Sequence, residues 1–119
     1  MIIGLGIDIV EIDRIKRLLM EKEQQFLDKI FTQQEQKFIP IRGHRKIEYI
    51  AGRFAGKEAV AKALGTGIGK ALAWKDIEII PLESGKPMVN LKNKNSCHIL
   101  ISISHTSSLA MAEVIIEEK

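Results

Sequence analysis

Apolar residues alternate with small or polar residues at the start of the chain and again throughout its second half. In the opening stretch, IIGLGIDIV, this alternation predicts a strand from Ile2 to Val10 whose second face carries Gly4, Gly6 and Asp8. Glycines on that face would let another segment approach the backbone closely. The same period of two predicts four later strands, in the stretches DIEII, PMVNL, HILISIS and LAMAEVII.

Between the first strand and the later ones, apolar residues recur at helical spacing. Thr32 and Glu35 form a capping-box pattern for a short helix, and Gly65 is suited to end a long one. We predict helices from Glu11 to about Met20, from Thr32 to Pro40, and from about Ile47 to Leu64. Polar turns are predicted at residues 84–87, 93–95 and 106–108. This order indicates an α+β fold in which helices pack on a largely antiparallel sheet.

Composition is typical of a small cytoplasmic domain. The 119 residues are 45% hydrophobic and 28% charged, which suffices for one domain, residues 1–119, whose core needs no disulfide. The single cysteine, Cys97, is expected to be a small buried thiol and not a nucleophile. The N-terminal stretch contains Asp8 and lacks a basic start and a cleavage site, so it does not resemble a signal peptide. No segment approaches the ~20 apolar residues of a membrane span, and we expect no membrane partner.

Positive charge is concentrated in one part of the chain, although the net charge is only +3. Residues 41–75 contain the carboxylates Glu48 and Glu58, whereas their basic residues are Arg42, Arg45, Lys46, Arg53, Lys57, Lys62, Lys70 and Lys75. A second basic cluster on the first helix includes Arg14 and Arg17. Such clusters favour an anionic partner, which would be a nucleic acid, a phosphate-bearing ligand or an acidic protein. Two solvated helix faces would give the same pattern.

One carboxylate, Glu58, lies on the apolar stripe of the long predicted helix, among neighbours such as Phe54 and Ala61. An unpaired carboxylate in such surroundings is costly, so it needs a cation. Lys62, one turn later, would supply an ordinary helical ion pair. Alternatively, Glu58 and Asp8 would together ligate a hard metal ion, with water or phosphate oxygens completing its coordination. The residues alone leave both interpretations open.

Two further stretches contain residues suited to anion binding, but each is a weak signal by itself. The loop GTGIGK, from Gly65 to Lys70, follows a helix, whereas P-loops and dinucleotide-binding loops lead from a strand into a helix. It is interpreted as a helix stop whose backbone N–H groups could still lie near a phosphate. In SISHT, His105 lies at a strand end before a polar turn and is either a structural histidine or an anion contact.

Taken together, the motifs resemble those of holo-acyl-carrier-protein synthase, the small bacterial 4′-phosphopantetheinyl transferase family. The matching stretches are GLGIDIVEIDRI, AGRFAGKEAVAKALGTGIG, DIEI followed by GKP, and ISISHT. They cover nearly the whole chain in the family's order and spacing, and the long central motif is highly specific. Gly56 stands where the family more often has alanine, a difference that costs up to about 1 kcal/mol of helix stability. The stretch from Lys92 to Cys97 matches poorly.

The resemblance implies a 4′-phosphopantetheinyl transferase-like fold, a reaction and the residues that perform it. Asp8 and Glu58 would bind Mg²⁺, which also holds the pyrophosphate of coenzyme A. A serine hydroxyl of apo acyl carrier protein would attack the β-phosphate, and 3′,5′-ADP would leave, giving holo acyl carrier protein for fatty acid biosynthesis. Glu58 and Lys62 are the expected catalytic residues. The expected contacts with coenzyme A are Arg53, Lys62, Gly65, Gly85, Lys86, Pro87, His105 and Thr106.

The resemblance also implies partners and an assembly. Arg14 and Arg17 on the first helix would meet the acidic carrier protein. A homotrimer with active sites between subunits is expected, and it is physically reasonable because the strands ILISIS and LAMAEVII carry apolar residues on both faces. The general base stays open among Glu58, a metal-bound hydroxide and a loosely held water.

Two other function classes fit the residues less well. IIGLGIDIV also resembles the first strand of ribonuclease-H-like nucleases and sugar kinases, whose sites need several clustered acids. Only Asp8 and Glu58 are well placed here. A non-catalytic RNA-binding module would need aromatic stacking platforms, and an aromatic content of 5% leaves few of them. We therefore expect no nucleic-acid partner.

Overall fold

The computed structural model describes residues 1–92 and 96–119, and the turn predicted at residues 93–95 lies outside the described residues. The strands are β1 (Ile2–Glu11), β2 (Ile77–Pro81), β3 (Pro87–Leu91), β4 (Cys97–His105) and β5 (Leu109–Glu118). The helices are α1 (Ile12–Ile30), α2 (Gln33–Gln36) and α3 (His44–Leu64), and a 3-10 turn spans Trp74–Asp76. All the predicted strands are confirmed, with ends close to those expected from the alternation.

The strands form two antiparallel sheets. β1, β5 and β4 make a three-stranded sheet with β5 in the centre, and β2 pairs with β3 in the second. The register places Asp8 opposite Ala112 on β5, and Ala112 opposite Ile103 on β4. Directly opposed residues share a face of the sheet, so Asp8 lies on the side where Ala112 is buried beneath α3. The predicted α+β class is confirmed.

Helix α3 packs directly on β1 because glycines remove the side chains between them. A Cβ atom at Gly6 would overlap the carbonyl oxygen of Ala59, and Gly4 is in similarly close contact one helical turn further along. Elsewhere on α3, an added Cβ at Gly56 would lie 2.8 Å from Cδ1 of Ile79. The glycine at position 56 therefore accommodates a large core side chain.

Helix α1 is longer than predicted, since it continues past Met20 to Ile30. Lys22 has non-helical dihedral angles (φ −149°, ψ 74°), which mark a kink. The polar residues 21–25 around this kink interrupt the apolar spacing, and packing on the core resumes at Phe26. The prediction that α1 ends near Met20 is therefore wrong.

The predicted capping box of α2 is confirmed. The Thr32 hydroxyl accepts from the N–H of Glu35 at 3.1 Å, and Glu35 Oε1 accepts from the N–H of Thr32 at 2.9 Å. The helix itself is shorter than expected, because it ends at Gln36 before Pro40 is reached.

The glutamate of the capping box is also the buried partner of a lysine. Lys57 has no solvent exposure, and its Nζ donates to Glu35 Oε1 at 2.7 Å and to the carbonyl oxygens of Ile30 and Trp74 at 2.7 and 3.1 Å. The second carboxylate oxygen of Glu35 accepts from the N–H of Ile79 at 2.9 Å. Lys57 thus belongs to the core and not to a surface basic patch. It ties α3 to α1, α2 and the 3-10 turn.

The face of the three-stranded sheet that points away from α3 is exposed and largely aliphatic, although Glu113, Ser102 and Ser104 also lie on it. On β1, the exposed fraction of the four outward aliphatic side chains ranges from 49% to 67%. Across the sheet these exposed apolar residues are Ile3, Leu5, Ile7, Ile9, Leu100, Leu109 and Met111. A surface of this kind is unusual for a chain that acts alone.

Two expectations from composition can be compared with the structure. Cys97, at the start of β4, is partly buried and packs against the core, so the expectation of a small buried thiol is met only in part. None of the helices in the described ranges has the length and apolar character needed to cross a membrane.

Candidate active site

A carboxylate cluster, defined as Asp8, Glu58 and Lys62, forms where β1 meets the C-terminal half of α3. Lys62 Nζ donates to Asp8 Oδ1 at 2.9 Å and to a backbone carbonyl oxygen of β1 at 3.1 Å. The lysine therefore bonds across the strand–helix contact and not to Glu58 one turn earlier. Gly6 precedes Asp8 by two residues and Ala59 follows Glu58, so the Gly6–Ala59 backbone contact brings the two carboxylates to one place.

The charges within the carboxylate cluster are not balanced. The pKa of Glu58 is raised, first by burial and then by the negative charge of Asp8, while Lys62 and Arg14 act in the opposite direction. The pKa of Lys62 is raised by its hydrogen bond to Asp8 and by the charge of that carboxylate. Two carboxylates thus repel each other, and the lysine pairs directly with only one of them. Such an arrangement favours an added cation.

The donor set fits part of a Mg²⁺ coordination shell. Mg²⁺ is commonly bound by one or two carboxylates, with waters and substrate phosphate oxygens in the remaining positions. Within residues 1–92 and 96–119, no group of three or more His, Cys, Asp or Glu side chains is arranged to hold a metal ion. The described residues therefore do not form the larger acid cluster of a nuclease. They suit a site in which two carboxylates bind the metal and phosphate oxygens of a substrate complete its coordination shell.

The loop after α3 acts as a helix stop. Gly65 adopts the left-handed conformation (φ 79°), and its N–H donates to the carbonyl oxygen of Lys62 at 3.0 Å. The N–H groups of Thr66 and Gly67 both donate to the carbonyl oxygen of Ala61 at 3.3 Å. These donors are engaged in ending the helix, so a coenzyme A contact at Gly65 would have to use other atoms.

A second group of site residues lines a cavity of about 250 Å³, which we call the α3–β4 pocket. It lies between the N-terminal half of α3, the turn between β2 and β3, and the end of β4. Its lining includes Arg45, Glu48, Tyr49, Arg53, Gly85, Pro87 and His105. The fold therefore brings together four residues predicted to contact coenzyme A, namely Arg53, Gly85, Pro87 and His105. Lys86, in the same turn, is exposed.

Arg53 supplies an unbalanced positive charge to this pocket. Its guanidinium lies over the Tyr49 ring, with Cζ 4.1 Å from the ring centroid, and burial lowers the pKa of Arg53. Its Nε is buried without a hydrogen-bond partner, and no carboxylate in the described part of the chain lies within ion-pairing distance of it. A partly buried guanidinium left in this state favours an anionic ligand.

His105 and Thr106 lie at the end of β4 and have different local roles. Nδ1 of His105 is 3.2 Å from Glu48 Oε2, and Nε2 of His44 is 3.5 Å from the same oxygen. Thr106 Oγ1 accepts from the N–H groups of Ser108 and Leu109 at 3.2 and 3.0 Å. Thr106 therefore shapes the turn between β4 and β5, and its contact with coenzyme A stays a prediction.

The basic residues of α1 lie beside the carboxylate cluster. Arg14 Cζ is 5.9 Å from the centroid of the Phe54 ring, and its charge acts on Glu58. Arg17 is exposed and follows three residues later, so it extends the positive surface along the same side of the helix. A binding partner of Arg17 would therefore lie next to the carboxylate cluster.

The carboxylate cluster and the α3–β4 pocket lie on different sides of α3. β5 separates β1, which carries Asp8, from β4, which carries His105, so these strands are about 10 Å apart. Glu58 and Arg53 are separated by about 140° around the helix. A ligand that contacted both parts of one chain would have to cross α3.

The fold and the motifs match one known family. A family model described as the 4′-phosphopantetheinyl transferase superfamily matches residues 4–114. The chain belongs to this superfamily. The prediction made from the motifs is thereby confirmed.

Named members of the superfamily resemble the chain over its whole length. A holo-[acyl-carrier-protein] synthase of Geobacillus sp. (strain WCH70) is 52% identical over 118 residues, which cover 98% of each chain. The structure of a holo-(acyl-carrier-protein) synthase from Bacillus anthracis str. Ames in complex with CoA (3′,5′-ADP) has a TM-score of 0.91 and 40% identity, covering 100% of this chain and 99% of that one. The Helicobacter pylori synthase in complex with coenzyme A has a TM-score of 0.87 and 35% identity, covering 95% and 99%.

Two residues of the pocket, Tyr49 and Glu48, belong to no motif that marks them as site residues. Tyr49 precedes Arg53 by one helical turn, and this spacing was the available signal for their stacking. Glu48 appeared only as a counter-charge in a basic segment. Its contact with His105 joins residues far apart in the chain, and no local pattern predicts such a pair.

Proposed function

We propose that this chain is a single-domain holo-acyl-carrier-protein synthase, which transfers 4′-phosphopantetheine from coenzyme A to a serine of apo acyl carrier protein. The serine oxygen forms a bond to the β-phosphorus, the bond from that phosphorus to the bridging oxygen breaks, and 3′,5′-ADP leaves. The holo carrier protein produced in the cytoplasm then serves fatty acid biosynthesis. The observation that carries the proposal is the Asp8–Glu58 pair beside Lys62, in a chain 52% identical to a synthase of that name.

The carboxylate cluster provides what phosphoryl transfer needs. This reaction depends more on in-line positioning and charge neutralisation than on covalent help from the protein. Asp8 and Glu58 would hold Mg²⁺, which when bound neutralises the pyrophosphate and orients it. Lys62, whose side chain is 52% exposed, reaches a phosphate oxygen while its hydrogen bond to Asp8 keeps that carboxylate in place.

The protonation state of Glu58 affects how the carboxylate cluster binds Mg²⁺ at different pH values. Metal ligation and proton acceptance from the serine both require the deprotonated carboxylate. Because burial and Asp8 raise the pKa of Glu58 in the metal-free chain, Mg²⁺ binding should weaken on acidification at a higher pH than it would for an ordinary glutamate.

The α3–β4 pocket binds the adenosine end of coenzyme A. Arg53 and His105 contact the 3′-phosphate, and the turn at Gly85 and Pro87 lies along the nucleoside. The unpartnered Nε of Arg53 beside a cavity of about 250 Å³ supports this assignment, because a phosphate would supply the missing acceptor.

The active enzyme is a homotrimer in which one coenzyme A spans two subunits. Neighbouring copies would cover the exposed apolar residues of the sheet. In a closed ring every subunit has this face buried, so none is left exposed to solvent. The pocket of one chain would then meet the carboxylate cluster of the next, so the ligand need not cross α3. Light scattering at micromolar concentration should give three times the chain mass, and a fully active monomer would refute this assembly.

Complementation between inactive variants tests the shared site. Glu58→Gln and Arg53→Ala are each expected to be inactive alone, since one removes a metal ligand and the other an anion contact. In mixed trimers, some active sites between subunits combine an intact Glu58 from one chain with an intact Arg53 from its neighbour. Exchange of subunits should therefore restore partial activity. If the two groups served the same chain's site, mixing would restore nothing.

The activity itself is tested by intact mass. The wild-type chain is incubated with coenzyme A, Mg²⁺ and apo acyl carrier protein, and the carrier protein should gain one phosphopantetheine group. A carrier protein whose acceptor serine is replaced by alanine is the control and should keep its mass. An unmodified wild-type carrier protein would overturn the proposed function.

A further inference from the structure

We propose that Glu48 is a positioning residue that fixes His105 for binding the 3′-phosphate of coenzyme A, an inference that rests on the proposed function. Glu48 is the one acidic side chain among the described residues that line the α3–β4 pocket. The motifs of the sequence give it no role. Its place beside His105 nevertheless bears directly on how this pocket would recognise a phosphate.

Glu48 is the least exposed member of a three-residue group that it forms with His44 and His105. Its side chain is 19% exposed, compared with 49% for His105 and 56% for His44. It lies within α3, whereas His105 is the last residue of β4, next to the turn that follows. The carboxylate therefore acts as the fixed point from which the exposed imidazole of His105 is held.

The contact also selects which nitrogen of His105 is available. Glu48 Oε2 is 3.2 Å from Nδ1 of His105. An ionised carboxylate accepts hydrogen bonds and cannot donate them, so the ring nitrogen that faces it carries a hydrogen. Nε2 is left for a ligand, and in the cationic ring it also carries a hydrogen that can be donated to a phosphate oxygen. Glu48 thereby determines the position and orientation of the ring.

A carboxylate in a phosphate pocket would be unfavourable if it faced the ligand directly. Here its Oε2 lies against two imidazoles, while Arg45 and Arg53 also line the cavity, so the lining keeps an excess of basic groups. Two roles for Glu48 consequently make opposite predictions. As a positioning residue it strengthens phosphate binding through His105, whereas as a competing counter-ion it would weaken it.

Steady-state kinetics of Glu48→Gln with two substrates distinguish these roles. With coenzyme A, the KM should rise about tenfold with little change in kcat, because one charge-assisted contact is lost in binding. With 3′-dephospho-coenzyme A, which lacks the phosphate, the variant and the wild type should have the same KM. Glu118→Gln, an exposed carboxylate at the end of β5, serves as the control and should leave both values unchanged.

Three results would overturn the inference. These are an unchanged KM for coenzyme A, a lowered KM, and an equal rise for both substrates, which would indicate general distortion of the pocket. Should Glu48→Gln fold poorly, Glu48→Asp, which keeps the charge but shortens the reach to His105, should give a smaller rise confined to coenzyme A.

Calorimetry separates failure of this inference from failure of the proposed function. Wild-type protein should bind 3′,5′-ADP more tightly than adenosine 5′-monophosphate, and Glu48→Gln should abolish most of that difference. If the wild type binds these nucleotides but transfers nothing, the proposed function fails while the role of Glu48 is still measured. If it discriminates between them and Glu48→Gln discriminates equally well, only the positioning role fails.

Discussion

Lys57 and Glu58 are neighbours on α3, yet the surroundings of their charges are opposite. Lys57 is fully buried and donates to three oxygens within 3.1 Å, one of them on Glu35. Glu58 is partly exposed and lies near Asp8, which takes the hydrogen bond of Lys62. Charge is therefore balanced on one side of the helix and unbalanced on the other. A fully satisfied buried pair holds a fold together, whereas groups left unsatisfied at a surface cleft are suited to a ligand.

The largest effect is expected from removing charge on the unbalanced side. Asp8→Asn and Glu58→Gln should each lower transfer at saturating Mg²⁺ by about a thousandfold or more, because a neutral amide replaces a metal ligand. Intact-mass assays measure the rate, and circular dichroism should show an unchanged fold. Near-normal turnover by either variant would contradict the metal assignment.

Removing the cation of the buried Lys57–Glu35 ion pair should lower the stability of the fold. Lys57→Met leaves the Glu35 carboxylate buried without its cation, and the free energy of unfolding should fall by about 3–5 kcal/mol. Urea denaturation measures this loss. Lys62→Met, on the exposed side of the same helix, is the matched control and should change stability by less than about 1 kcal/mol.

A double variant checks the cause of that loss. Lys57→Met combined with Glu35→Gln removes both charges, so it should be more stable than the sum of the two single losses predicts. Additive losses would mean that the pair is not coupled, contrary to the 2.7 Å contact between Lys57 and Glu35.

A smaller effect on catalysis is expected from substitutions of Arg14 and Arg17, the basic residues of α1 beside the carboxylate cluster. Arg17→Glu should raise the KM for acyl carrier protein severalfold and leave that for coenzyme A nearly unchanged, because the charge meets only the acidic partner. Arg14→Glu should do the same and also slow transfer, since Arg14 acts on Glu58. Raising salt from about 0.05 to 0.5 M shortens the Debye length about threefold and should weaken wild-type docking. Salt-independent docking would count against a basic binding surface.

The smallest effect is the pH dependence of stability without divalent cations. A raised pKa means that ionisation of Glu58 is less favourable in the folded chain than in the unfolded one. This unfavourable contribution is absent below the unfolded pKa of about 4.3 and grows as pH rises through the folded pKa. In EDTA, Glu58→Gln should therefore have a slightly higher urea midpoint than wild type at about pH 7, and the same midpoint near pH 4.

Divalent cations supply the control for that measurement. Mg²⁺ should stabilise the wild type and leave Glu58→Gln nearly unchanged, because only the charged carboxylate binds the ion. A variant less stable than wild type in EDTA would contradict the description of Glu58 as an unbalanced charge.

Local patterns predicted most of the fold. Alternation located every strand, and the capping box at Thr32 and Glu35 located α2, because both signals depend on residues close together in the chain. The continuation of α1 to Ile30 was missed because the kink at Lys22 is surrounded by polar residues. Such a helix is held by packing on the core and not by its own apolar spacing.

The candidate site was predictable where its residues carry a motif and hidden where they meet by folding alone. Asp8 and Glu58 stood out as carboxylates among small or apolar neighbours, and Lys62 as a partner one turn away. The burial of Lys57 was not visible, because its acceptors come from three other segments of the chain. The bond between Lys62 and Asp8 likewise joins two segments, so helical spacing pointed to the wrong carboxylate.

The contact between Gly6 and the carbonyl oxygen of Ala59 has a mechanical consequence. Where a side chain lies between two secondary-structure elements, changes of its rotamer let the elements shift by fractions of an ångström. Backbone held directly against backbone lacks this freedom, so we expect β1 and α3 to move together and Asp8 and Glu58 to keep their separation. In the proposed metal site, the size of the ion would then be set by a residue with no side chain. A change that forced the strand away from the helix, such as Gly6→Ala, is expected to shift the preference of the proposed site toward larger ions.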